Sequence, residues 1–197
     1  MFVADWMSRT PKSIRESAPL YEAYRLLLEH DFRHLPVVDA KDRLVGIISQ
    51  NDLMVATERA IELSKGELSY VDAMKAERII DHMTAKPISV EPGETIEDAA
   101  LLLREYKIGA LPVVHGGTLV GILTETDILT VLIESLGLER GGARMVHEIS
   151  EDQSNAKVRR ILDTLDHDRL HLTSLATYRP RGGGPMRLVA RVRGAAG

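Results

Sequence analysis

Shifted by 76 residues, the chain lies on itself. Asp5 then meets Asp81, Met7 meets Met83, Pro11 meets Pro87 and Ser13 meets Ser89. Ala23, Leu26 and Leu27 fall on Ala99, Leu102 and Leu103, and Leu35-Pro36-Val37-Val38 falls on Leu111-Pro112-Val113-Val114. One residue drops out in the next turn and the shift becomes 75. Leu44-Val45-Gly46-Ile47 then meets Leu119-Val120-Gly121-Ile122, and Asp52 meets Asp127. A repeat of this kind makes each copy one supersecondary unit that buries its apolar face against its neighbour. A single copy, roughly 60 residues, is small for a stable core of its own.

Each copy has a readable plan. "KSI" and "ISV" are short β-type segments. An amphipathic helix follows, with Leu20, Ala23, Leu26 and Leu27 in copy one and Ile96, Ala99, Leu102 and Leu103 in copy two forming one stripe at helical spacing. Thr95 and Asp98 form a capping-box start for the second. "LPVV" is a strand, "AKDR" or "GG" a tight turn, and "LVGII" or "LVGIL" the strand that pairs back. A second helix starts near Asn51 or Thr126. The order is β-α-β-β-α, so the expected class is α/β (α+β), two repeats stacked as a pair. Expected boundaries are 1–62 and 79–138 for the repeats, 63–78 for a helical linker and 139–197 for a small further domain.

Composition narrows the chemistry. There is no cysteine, so thiolate nucleophiles and cysteine-ligated metals are excluded. No apolar run reaches the length of a membrane span or a signal peptide, and a cytoplasmic location is expected. Residues 1–142 hold 15 Lys and Arg against 23 Asp and Glu, whereas residues 143–197 hold 10 against 6. An acidic body argues against nucleic acid as a partner.

The repeated Asp is open to two readings. Ser49-x-x-Asp52 and Thr124-x-x-Asp127 sit where a strand hands over to a helix, which is a capping arrangement. The same geometry suits a ligand. A helix N-terminus offers free N–H groups to phosphate, and a carboxylate one turn on can accept both hydroxyls of a ribose.

The "VADWM" and "IIDHM" leads, the "LPVV" strands and the "GIISQND" and "GILTETD" endings resemble a tandem pair of cystathionine-β-synthase (CBS) domains, the Bateman module, over residues 1–138. The resemblance implies clefts for an adenosyl ligand, each closed by the strand leading into the other repeat. Carried over by residue, site one comprises Ser49, Asp52, Arg33 and His34 with Ile79 and Ile80 as the apolar wall. Site two comprises Thr124, Asp127, Gly109 and Ala110 with Val3 and Ala4 as the wall. Arg33 and His34 precede the strand in copy one, where copy two has Gly109 and Ala110. A guanidinium suits a phosphate, so site one is expected to favour AMP, ADP or ATP. Site two is expected to hold an uncharged adenosyl group, S-adenosylmethionine, or nothing; a solvated helix-end cation is the plainer reading of Arg33. Bateman modules pair through the helices that follow each copy, here near 53–63 and 128–138, which implies a homodimer. Burial of those helices against the same chain is the other reading.

Residues 139–197 read β-α-β-β: "RMVHEIS", "SNAKVRRILDTLDH", "RLHLTSLATY" and "MRLVARVRG". They resemble the first part of an ACT domain, and CBS-CBS-ACT is the layout of acetoin-utilisation (AcuB-type) proteins. The ACT ligand turn carries a Gly after an Asp, whereas "EDQSNAKV" has none, and the chain ends at Gly197 ahead of a closing α-β pair. A packing role is therefore expected over amino-acid binding. Glycines 182–184 read as a hairpin turn, since no Lys-Ser/Thr follows. Arg187, Arg191 and Arg193 read as a solvated strand face. No catalytic motif appears, and His167 with His171 straddle a helix end and read as surface residues rather than metal ligands. The chain therefore reads as a non-enzymatic sensor acting on an unidentified partner protein. The alternatives are a scaffold with vestigial clefts and an amino-acid sensor working through the tail.

Overall fold

The computed structural model describes residues 1–139, 141–149 and 154–194, which form two compact units, Met1–Ile128 and Leu129–Gly197. The first opens with α1 (Val3–Trp6), β1 (Ser8–Arg9), β2 (Ile14–Arg15), α2 (Leu20–His30), β3 (His34–Val38), β4 (Leu44–Ser49) and α3 (Gln50–Leu63). It continues through α4 (Tyr70–Ala76), a 3-10 turn (Ile79–Asp81), β5 (Thr84–Ala85), α5 (Ile96–Tyr106), β6 (Ala110–His115), β7 (Thr118–Thr124) and the start of α6 (Glu125–Ser135). Helices and strands interleave as the sequence pattern requires.

The two repeats exchange their leads. One sheet runs β2-β3-β4-β5 and the other β1-β7-β6. The lead of copy one thus adds β1 to the sheet of copy two, where Ser8 pairs with Ile122 and Arg9 with Gly121. The lead of copy two adds β5 to the sheet of copy one, where Thr84 pairs with Ile47 and Ala85 with Gly46. Backbone bonds fix both crossings: Val3 N donates to Glu94 O at 2.9 Å, and Ile79 N to Ala18 O at 3.0 Å.

Copy two lacks the full counterpart of β2. Only Val90 bridges to Val113, where copy one has the parallel pair Ile14–Val37 and Arg15–Val38. The cause is Pro92. Its equivalent, Glu16, donates its N–H to Val38 O at 3.2 Å, and proline has no N–H to give.

The core of copy one gathers Leu20, Ala23 and Leu27 from α2 against Leu35, Val37 and Ile48 of the hairpin. The stretch expected as a linker belongs to this core as well. Helix α3 ends at Leu63, and α4 restarts after the cap Ser69 to bury Ala73 and Met74. The tight turn of the first hairpin is tied by Asp39, which accepts from Lys41 N at 2.8 Å and from Arg43 Nε at 2.8 Å. The side-chain bond from Arg43 holds the Asp39 carboxyl down at about 2.

In the second unit, β8 (Ala143–Ile149), β9 (Leu170–Tyr178) and β10 (Met186–Gly194) form an antiparallel sheet in the order β8-β10-β9. Helix α7 (Ser154–His167) sets Ile161 and Leu165 against Leu188, Ala190 and Val192 on one face. Gly183 and Gly184, both at positive φ, turn the β9–β10 hairpin. Of the turn "EDQSNAKV", Glu151, Asp152 and Gln153 lie outside the described residues, as do the last residues, 195–197. Among the described residues no helix is long and apolar enough to cross a membrane.

Candidate functional site

The two repeated Asp residues are caps. Ser49 is the N-cap of α3 and accepts from Asp52 N at 3.3 Å. The Asp52 carboxylate accepts in return from Ser49 N at 2.8 Å and from the Ser49 hydroxyl at 2.7 Å, both on Oδ2. The second copy repeats this: Asp127 Oδ2 accepts from Thr124 N and Oγ1, each at 2.7 Å, and Thr124 Oγ1 accepts from Asp127 N at 3.3 Å. Capping uses one carboxylate oxygen of each Asp. The ligand reading survives because each box also lines a cleft.

Cleft one, about 420 Å³, holds Ser49, Asp52 and Ile47 of copy one. Beside His34, its other walls come from copy two: Thr84 and Lys86 to Ile88 of the lead, and Tyr106 to Ala110 at the start of β6, with Lys86 and Lys107 as its cations. Cleft two, about 270 Å³, holds Thr124, Asp127 and Ile122 of copy two. Copy one closes it with Pro11 and Lys12 of the lead and with Asp31 to His34 ahead of β3. Cavities of a few hundred Å³ accept small ligands. The backbone turns sharply at equivalent points around both: Thr10 and Lys86 have φ 49°, and Asp31 and Lys107 have φ 54°. None of these is glycine, and such left-handed residues cost of order 1 kcal/mol each.

This arrangement regroups the residues expected from sequence. Arg33 was expected beside Ser49 and Asp52, yet it belongs to cleft two, where Nη2 donates to Thr126 Oγ1 at 3.4 Å. The reason is that the segment Asp31 to His34 as a whole closes the cleft of the other copy, as Tyr106 to Ala110 closes cleft one. Gly109 and Ala110, expected in site two, line cleft one. Ile79 and Ile80 do not line cleft one. Ile79 is fully buried in the copy-one core, and Ile80 is half exposed on the outside. Val3 is likewise fully buried, and Ala4 is tied by its N–H to Pro92 O at 2.9 Å. The walls lie a few residues further on, at Thr84 and Lys86 to Ile88 and at Ser8, Pro11 and Lys12. Lys12, Lys86, Lys107 and Thr126 were not anticipated as cleft residues. The signal for the walls was present: Pro11 and Pro87 coincide under the repeat shift.

Among the described residues His34 alone lines both clefts. Burial pushes its imidazole below the usual histidine range. Arg33 adds to that shift, and the carboxylates of Asp52 and Glu125 oppose it.

Two leads crossed between repeats, with a capped helix end at each of two clefts, define a tandem CBS pair. The CBS domain model matches residues 3–59 and 76–134, more than half of the chain, and the protein belongs to that family. A CBS domain-containing protein of Dictyostelium discoideum is 30% identical over 137 residues, covering 69% of this chain and 94% of that one. The L-aspartate semialdehyde sulfurtransferase of Methanocaldococcus jannaschii is 30% identical over 127 residues, but the match spans only 22% of that protein. A crystal structure described as an acetoin utilization protein (AcuB) from Vibrio cholerae superposes with TM-score 0.60 at 34% identity, covering 71% of this chain and 96% of that one. The structure of CBSX2 in complex with AMP gives 0.57 at 30% identity, covering 67% and 96%. A CBS domain pair in complex with 5'-methylthioadenosine and S-adenosyl-L-methionine gives 0.55 at 27%, covering 67% and 95%.

Proposed function

We propose that this chain is a non-enzymatic sensor that binds an adenine nucleotide in the clefts between its CBS repeats and passes their occupancy to a partner protein. The observation that carries the reading is the pair of capped helix N-termini opening onto clefts that each hold two cations, Lys86 with Lys107 and Lys12 with Arg33. The cations take the phosphate, and the second oxygen of each cap carboxylate takes the ribose. AMP bound to CBSX2, and methylthioadenosine with S-adenosylmethionine bound to another CBS pair, support the adenosyl class. Arg33 favours the phosphorylated ligand in cleft two, the reverse of the expectation from sequence.

The test is thermal shift and calorimetry with AMP, ADP, ATP and S-adenosylmethionine on wild type, Asp52→Ala and Asp127→Ala. A ligand selective for the folded state raises the melting temperature. Each variant should lose one binding event. No stabilisation by any of the four ligands would leave the scaffold reading in its place.

The assembly is proposed to be a homodimer through α3 and α6. Met54, Val55 and Leu63 on α3 and Leu129 and Leu132 on α6 are each at least half exposed, and exposed apolar side chains clustered on a helix mark interfaces. A monomeric mass in light scattering would defeat it. The tail is proposed to serve packing rather than amino-acid binding, so no amino acid should shift the melting temperature.

A further inference from the structure

His34 is the partition between the two clefts. Its backbone pairs with Ser49, the cap of α3, across the first hairpin. Its ring reaches into copy two: a Cβ on Gly109 would stand 2.7 Å from His34 Cε1 and 3.1 Å from Nε2. The same point lies 3.8 Å from Glu125 Oε2. Gly109 is in turn bonded to the first residue of α6, since Glu125 N donates to Gly109 O at 3.2 Å. The mirror-image bond runs from Gln50 N, the first residue of α3, to Arg33 O at 3.1 Å. A continuous set of packed groups therefore runs from the cap of one cleft helix, through His34, to the start of the other. The partition is one-sided, because the residue equivalent to His34 is Ala110 and the residue facing its ring is glycine.

We propose that His34 couples the two clefts, so that filling one changes the affinity of the other. The inference rests on the reading of the clefts as nucleotide sites. The charged groups that act on the ring are Arg33 on its own strand end, Asp52 on α3 and Glu125 on α6. A ribose that draws on Asp52 in cleft one, or a phosphate set beside Arg33 in cleft two, changes the field at the imidazole. The ring cannot yield toward Gly109 without displacing the segment bonded to Glu125. Coupling of this kind is reciprocal between the two ligands.

The experiment is AMP calorimetry on wild type and Asp52→Ala, repeated in a His34→Ala background. In the wild-type background, losing cleft one through Asp52→Ala changes the affinity of cleft two by about 5-fold or more. With His34→Ala, the Asp52→Ala substitution leaves cleft two unchanged. An equal Asp52→Ala effect in both backgrounds, or none in either, overturns the coupling and leaves nucleotide binding standing. Absence of AMP binding to wild type overturns both. If His34→Ala does not fold, His34→Asn gives the same comparison with a polar side chain in place.

Discussion

Gly46 lies directly under Met83. A Cβ at Gly46 would stand 2.3 Å from Met83 Sδ and 3.2 Å from Thr84 O. The twin contact is Gly121 under Met7, at 2.5 Å from Sδ and 3.2 Å from Ser8 O. Neither glycine is needed for a left-handed backbone. Each is there because the lead of the other repeat crosses its strand at that point. The Gly that opens "GIISQND" and "GILTETD" thus belongs to the exchange that builds the cleft walls.

Gly46→Ala should destabilise the protein by about 1–3 kcal/mol, the usual cost of an overpacked site. The Met83 side chain can move aside, whereas the backbone carbonyl of Thr84 cannot. Met83→Ala in the same chain should recover part of the loss, giving a coupling of about 0.5 kcal/mol or more in urea unfolding. Strict additivity would show that the contact is not what excludes a side chain at residue 46.

The structure supplies controls that separate capping from ligand contact. Ser69 with Asp72 and Thr95 with Asp98 form the same hydroxyl–carboxylate contact, each at 2.6 Å, and neither pair lines a cleft. Alanine at Ser49, Ser69, Thr95 or Thr124 should each cost about 0.5–2 kcal/mol of stability. Only the Ser49 and Thr124 variants should also lose part of the AMP-induced rise in melting temperature. If all four respond to AMP as wild type does, the boxes are caps and nothing more.

Much of this was legible in the sequence. The 76-residue shift gave the repeat, and periodicity gave the helix stripes that bury Leu20, Ala23 and Leu27. Residue groupings across the repeat boundary were not legible. Which cleft Arg33 enters depends on the segment ahead of β3 closing the cleft of the other copy, which is a tertiary fact. The exchange of leads hid the walls for the same reason, since Thr84 pairs with Ile47 of the other copy. Within the stretch expected as a helical linker, 63–78, helix α4 buries Ala73 and Met74, a pair too short to show as a stripe in the sequence.

Arg33 should set the phosphate preference of cleft two. Arg33→Ala is expected to weaken AMP there by about 10-fold, the scale of one charge-assisted hydrogen bond, while adenosine loses nothing. Arg33→Lys should recover only part, since a point charge replaces a planar fork. Calorimetry in the Asp52→Ala background reads cleft two alone. Equal losses for AMP and adenosine would mean that Arg33 shapes the cleft without meeting phosphate.

His34 should give the free protein a stability that depends on pH. Burial holds its imidazole below the unfolded value of 6.5, so the fold prefers the neutral ring. The sign follows from linkage: the contribution is complete above about pH 6.5 and is lost as the pH falls through that value toward the lower folded one. Wild type should therefore lose melting temperature between about pH 7.5 and 5.5. His34→Asn, which cannot take up the proton, should lose less. Because the chain has seven histidines, the quantity to read is the difference between the two curves. Parallel curves through that window would mean that His34 is charged as readily in the fold as outside it. Asp52 and Glu125 would then balance burial and Arg33 at the partition between the clefts.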